Sequence, residues 1–267
     1  MPGRHYENFP VASLLLSPQF RHPVAGIYRF ARAADDFADE GSDADEVRLA
    51  KLAAFQSHLV TIGLGATPDD PLFREIAHIV RQHNLPLQLF QDLLSAFSQD
   101  VRKKRYADFA EVLDYCRRSA NPVGRLLLHL FGRATPENLE RSDSICSALQ
   151  LVNLWQDVEI DYAKDRIYLP QDEMARYGVT EDHIAQRRCD DAWRALIGHQ
   201  AGRARAMMES GRPLGRALPG RIGLEIRTTV EGGLRILEKL ERARCDMFRS
   251  RPMLKWFDWP VILARAL

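Results

Sequence analysis

Apolar residues recur at helical spacing along almost the whole chain, and no stretch shows the sustained alternation that a half-buried strand requires. This periodicity predicts an all-α bundle. The chain has 267 residues, of which 46% are hydrophobic, so it can bury a substantial core. Because no Pro/Gly/Ser-rich linker or change of composition divides the chain, we expect residues 1–267 to form a single domain.

Helix start and stop signals give approximate boundaries. Pro23 is expected to open a helix that Gly41 closes, and Ser42 to cap the next helix, which runs to Gly63. The later helices are predicted to run from Asp108 to Leu130 with a bend at Pro122 and Gly124, from about Glu137 to Ala163, and over residues 190–211 and 221–248.

Charge and cysteine usage exclude several kinds of protein. The 37 basic and 36 acidic residues give a net charge of +1, which provides no general attraction for nucleic acid. No CxxC pair or apolar run of membrane-spanning length is present, and residues 1–9 do not resemble a signal peptide. We therefore expect a cytoplasmic protein with four reduced thiols: Cys116, Cys146, Cys189 and Cys245.

Two segments leave open a contact with the inner face of a membrane. The basic run Arg102–Arg105 is either a solvated helix end or a contact for anionic lipid. The tail from Trp256 to Leu263 is too short to span a bilayer, so it either packs on the bundle or anchors the protein at the interface. Peripheral attachment is the strongest membrane association that these segments predict.

Two aspartate clusters lie more than a hundred residues apart in separate amphipathic stretches. Residues four apart share one face of a helix, so Asp35 and Asp39 point the same way, as do Asn153, Asp157 and Asp161. Magnesium prefers oxygen ligands and usually takes one or two carboxylates together with substrate phosphate oxygens. Two such carboxylate faces therefore predict diphosphate chemistry that depends on magnesium.

A basic residue accompanies each cluster. Arg32 precedes Asp35 by nearly one helical turn, and Arg166 follows Asp161 by five residues. Each arginine could form an ordinary surface ion pair, which contributes little to stability. Their position beside the carboxylates instead suggests bidentate capture of phosphate oxygens.

The segment YRFARAADDFAD at 28–39 resembles the first motif of the squalene/phytoene synthase family. Residues 115–124, 153–161 and 165–170 agree with the same family in order and spacing, so the resemblance covers most of the chain. It implies an isoprenoid-synthase helical bundle with a central cavity and a prenyl diphosphate substrate. A non-enzymatic helical scaffold is the alternative, in which the aspartates would be solvated surface.

The resemblance also implies roles for individual residues. Six oxygen-bearing residues would bind magnesium, with three ions present when diphosphate is bound: Asp35, Asp36, Asp39, Asn153, Asp157 and Asp161. Asp35, Asp39, Asp157, Asp161 and Tyr168 are the expected catalytic set, although core packing is the plain alternative for Tyr168 and for Tyr28. The substrate-binding set is His5, Asn8, Tyr28, Arg32, Gln150, Gln156, Arg166 and Arg251.

Three positions depart from the usual family pattern. Asn8 replaces a serine, Gln156 stands where an arginine is common, and Gly233 stands where many relatives carry a tyrosine that would otherwise fill space in the cavity. These changes suggest room for water and a reaction other than complete head-to-head condensation. The resemblance then implies conversion of presqualene diphosphate and water to hydroxysqualene and diphosphate in squalene and hopanoid biosynthesis, without NADPH and with handover to other enzymes of the pathway. Condensation of two farnesyl diphosphates to presqualene diphosphate or squalene is the alternative.

Overall fold

The computed structural model describes residues 17–39, 41 and 43–267, and these residues fold into α-helices without a β-strand. A single isolated bridge pairs Arg105 with Ile167 in the described part of the chain. The helical prediction is therefore confirmed. The helices are α1 (Pro18–Asp39), α2 (Asp45–Gly63), α3 (Pro71–His83), α4 (Leu87–Arg102), α5 (Phe109–Ser119), α6 (Asn121–Leu130), α7 (Pro136–Gln156), α8 (Val158–Ala163), α9 (Gln171–Tyr177), α10 (Glu181–Ala185), α11 (Asp191–Gly211), α12 (Leu214–Ala217), α13 (Gly220–Arg242) and α14 (Trp259–Ala266).

Two groups of buried side chains form the core. One lies among α1 to α4 and includes Phe30, Phe73 and Phe90. The other surrounds α7 and includes Trp155 and Trp193. Helix α6 packs against both α1 and α7, so it holds these two helices on either side of a central space. The prediction of a single domain over 1–267 stays a prediction, because residues 1–16 lie outside the described part.

Several predicted boundaries were wrong. Helix α1 begins at Pro18, and Pro23 lies inside it. Because Pro23 is close to the helix start, its ring contacts only the backbone of the first turn, and the helix continues past it. The predicted helix from Asp108 to Leu130 is two helices that meet at Ala120. Helix α13 ends at Arg242, earlier than predicted, because Arg244 and Cys245 adopt left-handed backbone conformations.

The predicted helix from Glu137 to Ala163 is interrupted at Asp157, whose φ of −106° and ψ of 12° separate α7 from α8. The interruption does not turn the acidic face away. The Asp157 N–H donates to the Asn153 carbonyl at 3.0 Å, and the Asp161 N–H donates to the Asp157 carbonyl at 2.8 Å. The four-residue spacing therefore keeps Asn153, Asp157 and Asp161 on one side.

The two segments considered for membrane contact differ in the structure. In the basic run, Lys103 pairs with Glu111 at 2.7 Å and Arg105 pairs with Glu181 at 2.7 Å, so much of its charge is compensated. The tail forms a short 3₁₀-helix at Trp256–Asp258 followed by α14, which packs against α13. None of the described helices is both long and apolar enough to span a bilayer.

Candidate active site

A cavity of about 520 Å³ opens between α1 on one side and α7 with α8 on the other. Its lining is mostly polar and contains both predicted carboxylate faces. The lining residues are Asp35, Asp39, Phe97, Asp100, Tyr115, Ser119, Gln150, Asn153, Leu154, Asp157, Ile160, Asp161, Lys164, Arg166, Tyr168 and Arg251. The folding of the chain thus brings together two clusters that are distant in the sequence.

Basic side chains already neutralise part of each acidic face. Lys164 Nζ lies 2.9 Å from Asp39 Oδ2, and Arg166 Nη1 lies 2.6 Å from Asp39 Oδ1. On the opposite side, Arg251 contacts Asp157 through Nε at 2.6 Å and Nη2 at 3.1 Å. All three cations line the polar cavity beside the carboxylates.

The carboxylates have contrasting electrostatic environments. Burial opposes ionisation of Asp39, but the charges of Arg166 and Lys164 outweigh it and lower the pKa of this carboxyl group. Burial, together with the negative charge of Asp157, raises the pKa of Asp161 to about 8. Asp161 is therefore a carboxylate that an added cation would return to its ionised form.

A buried carboxyl group organises two tyrosines on the cavity wall. The Tyr115 hydroxyl donates to Asp100 Oδ2 at 2.7 Å, and the Tyr168 hydroxyl donates to Asp100 Oδ1 at 2.8 Å. Burial raises the pKa of Asp100 to about 7, although Arg166 and both hydroxyl groups favour its ionised form. The structure thus ties the predicted catalytic residue Tyr168 to a partner that the sequence analysis did not identify.

The structure places three predicted residues beside this cavity instead of on its wall. Asp36 pairs with Arg32 at 2.7 Å, and the same guanidinium reaches Asp35 at 3.2 Å. Gln156 is buried and donates to the backbone carbonyl of Pro252, next to Arg251. Gln156 therefore holds the segment that carries Arg251, whereas Gln150 lies on the wall as predicted.

A second cavity, of about 290 Å³, is almost entirely apolar and contains Tyr28. Helices α1 and α7 line both cavities. Along α1, Val24, Ile27 and Ala31 face the apolar cavity, one to three turns before Asp35 reaches the polar one. Along α7 the order is the same: the residues that face the apolar cavity, Ser142, Ile145, Cys146 and Leu149, precede Gln150 and Asn153, which face the polar one.

The space directly beside Gly233 is filled, and the expected room for water at this position stays a prediction. A Cβ atom at this position would lie 2.6 Å from Met208 Cε and 3.0 Å from Leu149 Cδ2. Met208 therefore already occupies the space next to the glycine, and Leu149 closes it toward the apolar cavity. The position that a Cβ atom would take at 233 is therefore already occupied.

The oxygen-bearing side chains of the polar cavity could bind magnesium only together with other ligands. In the described part of the chain, no three carboxylate, imidazole or thiol side chains surround one point closely enough to hold a metal by themselves. Asp35, Asp39, Asn153, Asp157 and Asp161 instead present hard oxygen atoms from two walls. This arrangement suits magnesium ions that complete their coordination with phosphate oxygens and water.

Some functional residues were missed by sequence reasoning, and two predicted ones cannot be placed. His5 and Asn8 lie outside the described residues. Asp100 could have been noticed, because it stands among apolar neighbours such as Phe97 and Val101 on the buried side of α4. Ser119 and Lys164 gave no comparable signal, because a lone polar residue near a helix end is usually solvated.

Comparison with known proteins agrees with this geometry. The family model for squalene/phytoene synthase matches residues 3–258. A hydroxysqualene synthase from Rhodopseudomonas palustris is 33% identical over 257 residues, which are 96% of this chain and 86% of that protein. A hydroxysqualene synthase from Zymomonas mobilis is 34% identical over 229 residues, covering 84% of this chain and 75% of that one.

Solved structures show the same fold. Squalene synthase HpnC from Alicyclobacillus acidocaldarius superposes with a TM-score of 0.83 at 37% identity, covering 90% of each chain. A dehydrosqualene synthase determined with a ligand superposes with a TM-score of 0.86 at 22% identity, covering 98% of this chain and 91% of that one. Family match, sequence similarity and the cavity between the two aspartate faces agree: the chain belongs to the squalene/phytoene synthase family.

Proposed function

We propose that this chain converts presqualene diphosphate and water to hydroxysqualene and diphosphate in squalene and hopanoid biosynthesis. Relatives that carry the name hydroxysqualene synthase, at 33% and 34% identity over most of the chain, support this reaction. We also propose that the reaction requires three magnesium ions and does not require NADPH.

The single observation that carries the proposal is the sharing of α1 and α7 by two unlike cavities. A substrate with a diphosphate head and a long hydrocarbon body needs a polar end with metal ligands and cations, and an apolar end without them. The 520 Å³ cavity has the first character and the 290 Å³ cavity the second. Both lie along the same faces of the same helices.

The polar end supplies the groups for cleavage of the carbon–oxygen bond to diphosphate. Asp35, Asp39, Asn153, Asp157 and Asp161 would hold magnesium, which makes diphosphate a better leaving group by neutralising its charge. Arg166, Lys164 and Arg251 bind the phosphate oxygens and retain the departing diphosphate.

The apolar end controls what happens to the carbocation. Loss of diphosphate leaves a cyclopropylcarbinyl cation that rearranges to an allylic cation, and water adds to this cation with loss of a proton to solvent. These steps require no nucleophilic side chain, because water is the nucleophile. The apolar walls hold the hydrocarbon and limit access of water, while the tyrosine hydroxyl groups held by Asp100 line the polar cavity.

A second reaction remains a candidate because of one specific finding. The structure that is 37% identical over 90% of this chain is named squalene synthase. Condensation of two farnesyl diphosphates to presqualene diphosphate or squalene would use the same two cavities. In the first step one farnesyl diphosphate would lose its diphosphate at the polar end and the other would keep it. Formation of squalene would then release the second diphosphate at the same end.

The location proposed for the enzyme follows from the substrate. We infer a cytoplasmic enzyme that contacts the inner face of the membrane peripherally and hands its product to other enzymes of the squalene pathway. An apolar product with thirty carbon atoms has very low solubility in water. Its transfer from the protein therefore favours a lipid surface or a partner protein.

A product assay tests the reaction. Purified protein is incubated with magnesium and presqualene diphosphate without NADPH, and the extract is analysed by gas chromatography with mass spectrometry. A parallel incubation contains farnesyl diphosphate with NADPH. Magnesium-free incubations and the Asp157→Asn variant are the controls.

Hydroxysqualene formed from presqualene diphosphate supports the proposed reaction. Presqualene diphosphate or squalene formed from farnesyl diphosphate, with no hydroxysqualene in the first incubation, supports the condensing alternative. Absence of any of these products in both incubations contradicts both reactions.

A further inference from the structure

The segment from Trp256 to the end of α14 is apolar on its outward side as well as its inward side. Ile262 and Ala266 are buried, and α14 packs on α13. Arg265 is the only charged residue that α14 exposes. The other exposed residues of the segment are Trp256, Phe257, Pro260, Val261, Leu263 and Ala264. A helix whose exposed surface is apolar except for one residue is normally covered, so this one favours a non-aqueous neighbour.

Basic and aromatic side chains occur together at the start of this segment. The Lys239 ammonium lies 5.2 Å from the centre of the Phe257 ring, and the Lys255 ammonium lies 6.0 Å from the same ring. Trp256 is 83% exposed. Exposed tryptophan beside lysine is typical of side chains at the boundary between lipid and water.

A cavity of about 500 Å³ adjoins the segment and is lined by four arginines. Arg265 belongs to α14 itself, and the Arg227 guanidinium donates to the Ala266 carbonyl, so the cavity and the apolar segment are continuous. Its charged lining residues are Arg212, Arg216, Arg227 and Arg265 with Glu209 and Glu231. The basic residues therefore exceed the acidic ones on this wall.

Two of the four arginines keep an uncompensated charge. Arg212 pairs with Glu209 and Glu231, and Arg265 pairs with Glu238. Within the described residues, Arg227 contacts only backbone carbonyls and Arg216 has no carboxylate partner. A guanidinium group in this state readily binds an oxyanion such as a phosphodiester.

We propose that the apolar segment and the arginine-lined cavity together form the surface by which this protein binds an anionic lipid bilayer. The exposed aromatic and aliphatic side chains enter the interface, and Arg216 and Arg227 take a lipid phosphate. A second copy of the chain fits less well. A symmetric dimer would place the same patch against itself and bring the two basic cavities close together.

The position of this surface relative to the apolar cavity suggests a role in product release. This role rests on the proposed function. Helix α12 and the first half of α13 stand between the two cavities. Leu214 and Leu218 face the apolar cavity, whereas Arg216 faces the arginine-lined one. A hydrocarbon product that leaves past α12 would therefore emerge next to the bilayer.

Vesicle flotation tests the surface without any dependence on turnover. The full chain is mixed with vesicles of phosphatidylcholine alone or with phosphatidylglycerol added, and the bound fraction is measured. We expect binding that requires phosphatidylglycerol. The W256S/F257S variant should weaken binding at least about tenfold, and Arg216→Gln about fivefold.

Matched controls come from elsewhere on the surface. Leu64 and Val60 are 82% and 49% exposed, close to the 83% and 47% of Trp256 and Phe257, so L64S/V60S is the control for the apolar change. Arg102→Gln, on the other basic run, is the control for the charge. Both controls should bind like the unmodified protein.

Three results would overturn the proposal: no binding to anionic vesicles, equal weakening by a control and its matched variant, or a dimer in sedimentation velocity that W256S/F257S dissociates. Turnover of detergent-dispersed presqualene diphosphate is measured in parallel and should persist in W256S/F257S. If the unmodified protein also fails to turn over substrate, the proposed reaction fails while the flotation result still decides the lipid surface.

Discussion

Arg251 donates two hydrogen bonds to Asp157, from Nε to Oδ1 at 2.6 Å and from Nη2 to Oδ2 at 3.1 Å, although the two residues are 94 positions apart in the sequence. The pair closes one side of the polar cavity. If Asp157 binds magnesium as proposed, the guanidinium would lose this partner and could then bind a diphosphate oxygen. We therefore expect Arg251 to compete with the metal before substrate binds and to contact the diphosphate afterwards.

Arg251→Gln should separate these two effects. We expect kcat/KM to fall about tenfold to a hundredfold, because a charge-assisted contact to diphosphate is lost. The magnesium concentration for half-saturation, measured by titration calorimetry without substrate, should fall because Asp157 no longer has a competing cation. Arg249→Gln, an exposed neighbour, is the control. An unchanged half-saturation concentration would contradict the competition.

Asp35 and Asp36 are adjacent in sequence but should respond differently to replacement. Asp35 lines the polar cavity, whereas Asp36 is not among its lining residues and pairs with Arg32. Asp35→Asn should lower kcat at least about a hundredfold, since a metal ligand contributes several kcal/mol to transition-state stabilisation. Asp36→Asn should cost less than about tenfold. Steady-state kinetics decides, with circular dichroism to verify folding; equal losses would place Asp36 among the metal ligands.

The buried carboxyl group of Asp100 should make stability depend on pH. Its pKa is raised from 3.8 to about 7 on folding, so its favourable contribution is complete below about pH 4 and is lost as pH rises through about 7. From about pH 5 to pH 8, the unmodified protein should lose about 3 kcal/mol of unfolding free energy that Asp100→Asn does not lose. Urea denaturation at both pH values measures this difference. Parallel pH profiles for the two proteins would show that Asp100 is not the group responsible.

Gln156 should act through the segment that carries Arg251. Its side chain donates to the Pro252 carbonyl and does not line the polar cavity. Gln156→Leu should therefore destabilise the fold by about 1–3 kcal/mol, because a buried acceptor loses its donor. It should also raise KM for the diphosphate substrate. Gln150→Leu, on the cavity wall, should raise KM without the same loss in thermal denaturation; the opposite pattern would reverse the two assignments.

Two glycines of α11 provide a paired test of helix packing. A Cβ at Gly211 would lie 2.6 Å from the Arg141 carbonyl oxygen of α7, whereas nothing lies within 4 Å of a Cβ at Gly202. Gly211→Ala should cost about 1–3 kcal/mol because the two helices must separate. Gly202 lies at an exposed position of the helix, so Gly202→Ala should instead stabilise the protein by about 0.5–1 kcal/mol. Chemical denaturation compares them, and a stabilising Gly211→Ala would show that the contact can relax.

The all-helical fold and the two aspartate faces could be predicted from the chain alone because both depend on local spacing. Asn153, Asp157 and Asp161 stay on one side even though the helix breaks at Asp157, since the four-residue hydrogen bonds continue through the break. The break itself was not predicted. Neither a proline nor a glycine marks it.

The partners of the site residues were decided by packing. The sequence could suggest Arg251 as a phosphate ligand, but only the return of the chain after α13 places it on Asp157. The roles of Asp100 and Gln156, and the filling of the space beside Gly233 by Met208, depend in the same way on contacts between distant helices. A side chain's chemistry and helical face are properties of its local sequence, whereas its partner depends on how the helices pack, and this is set by the whole core.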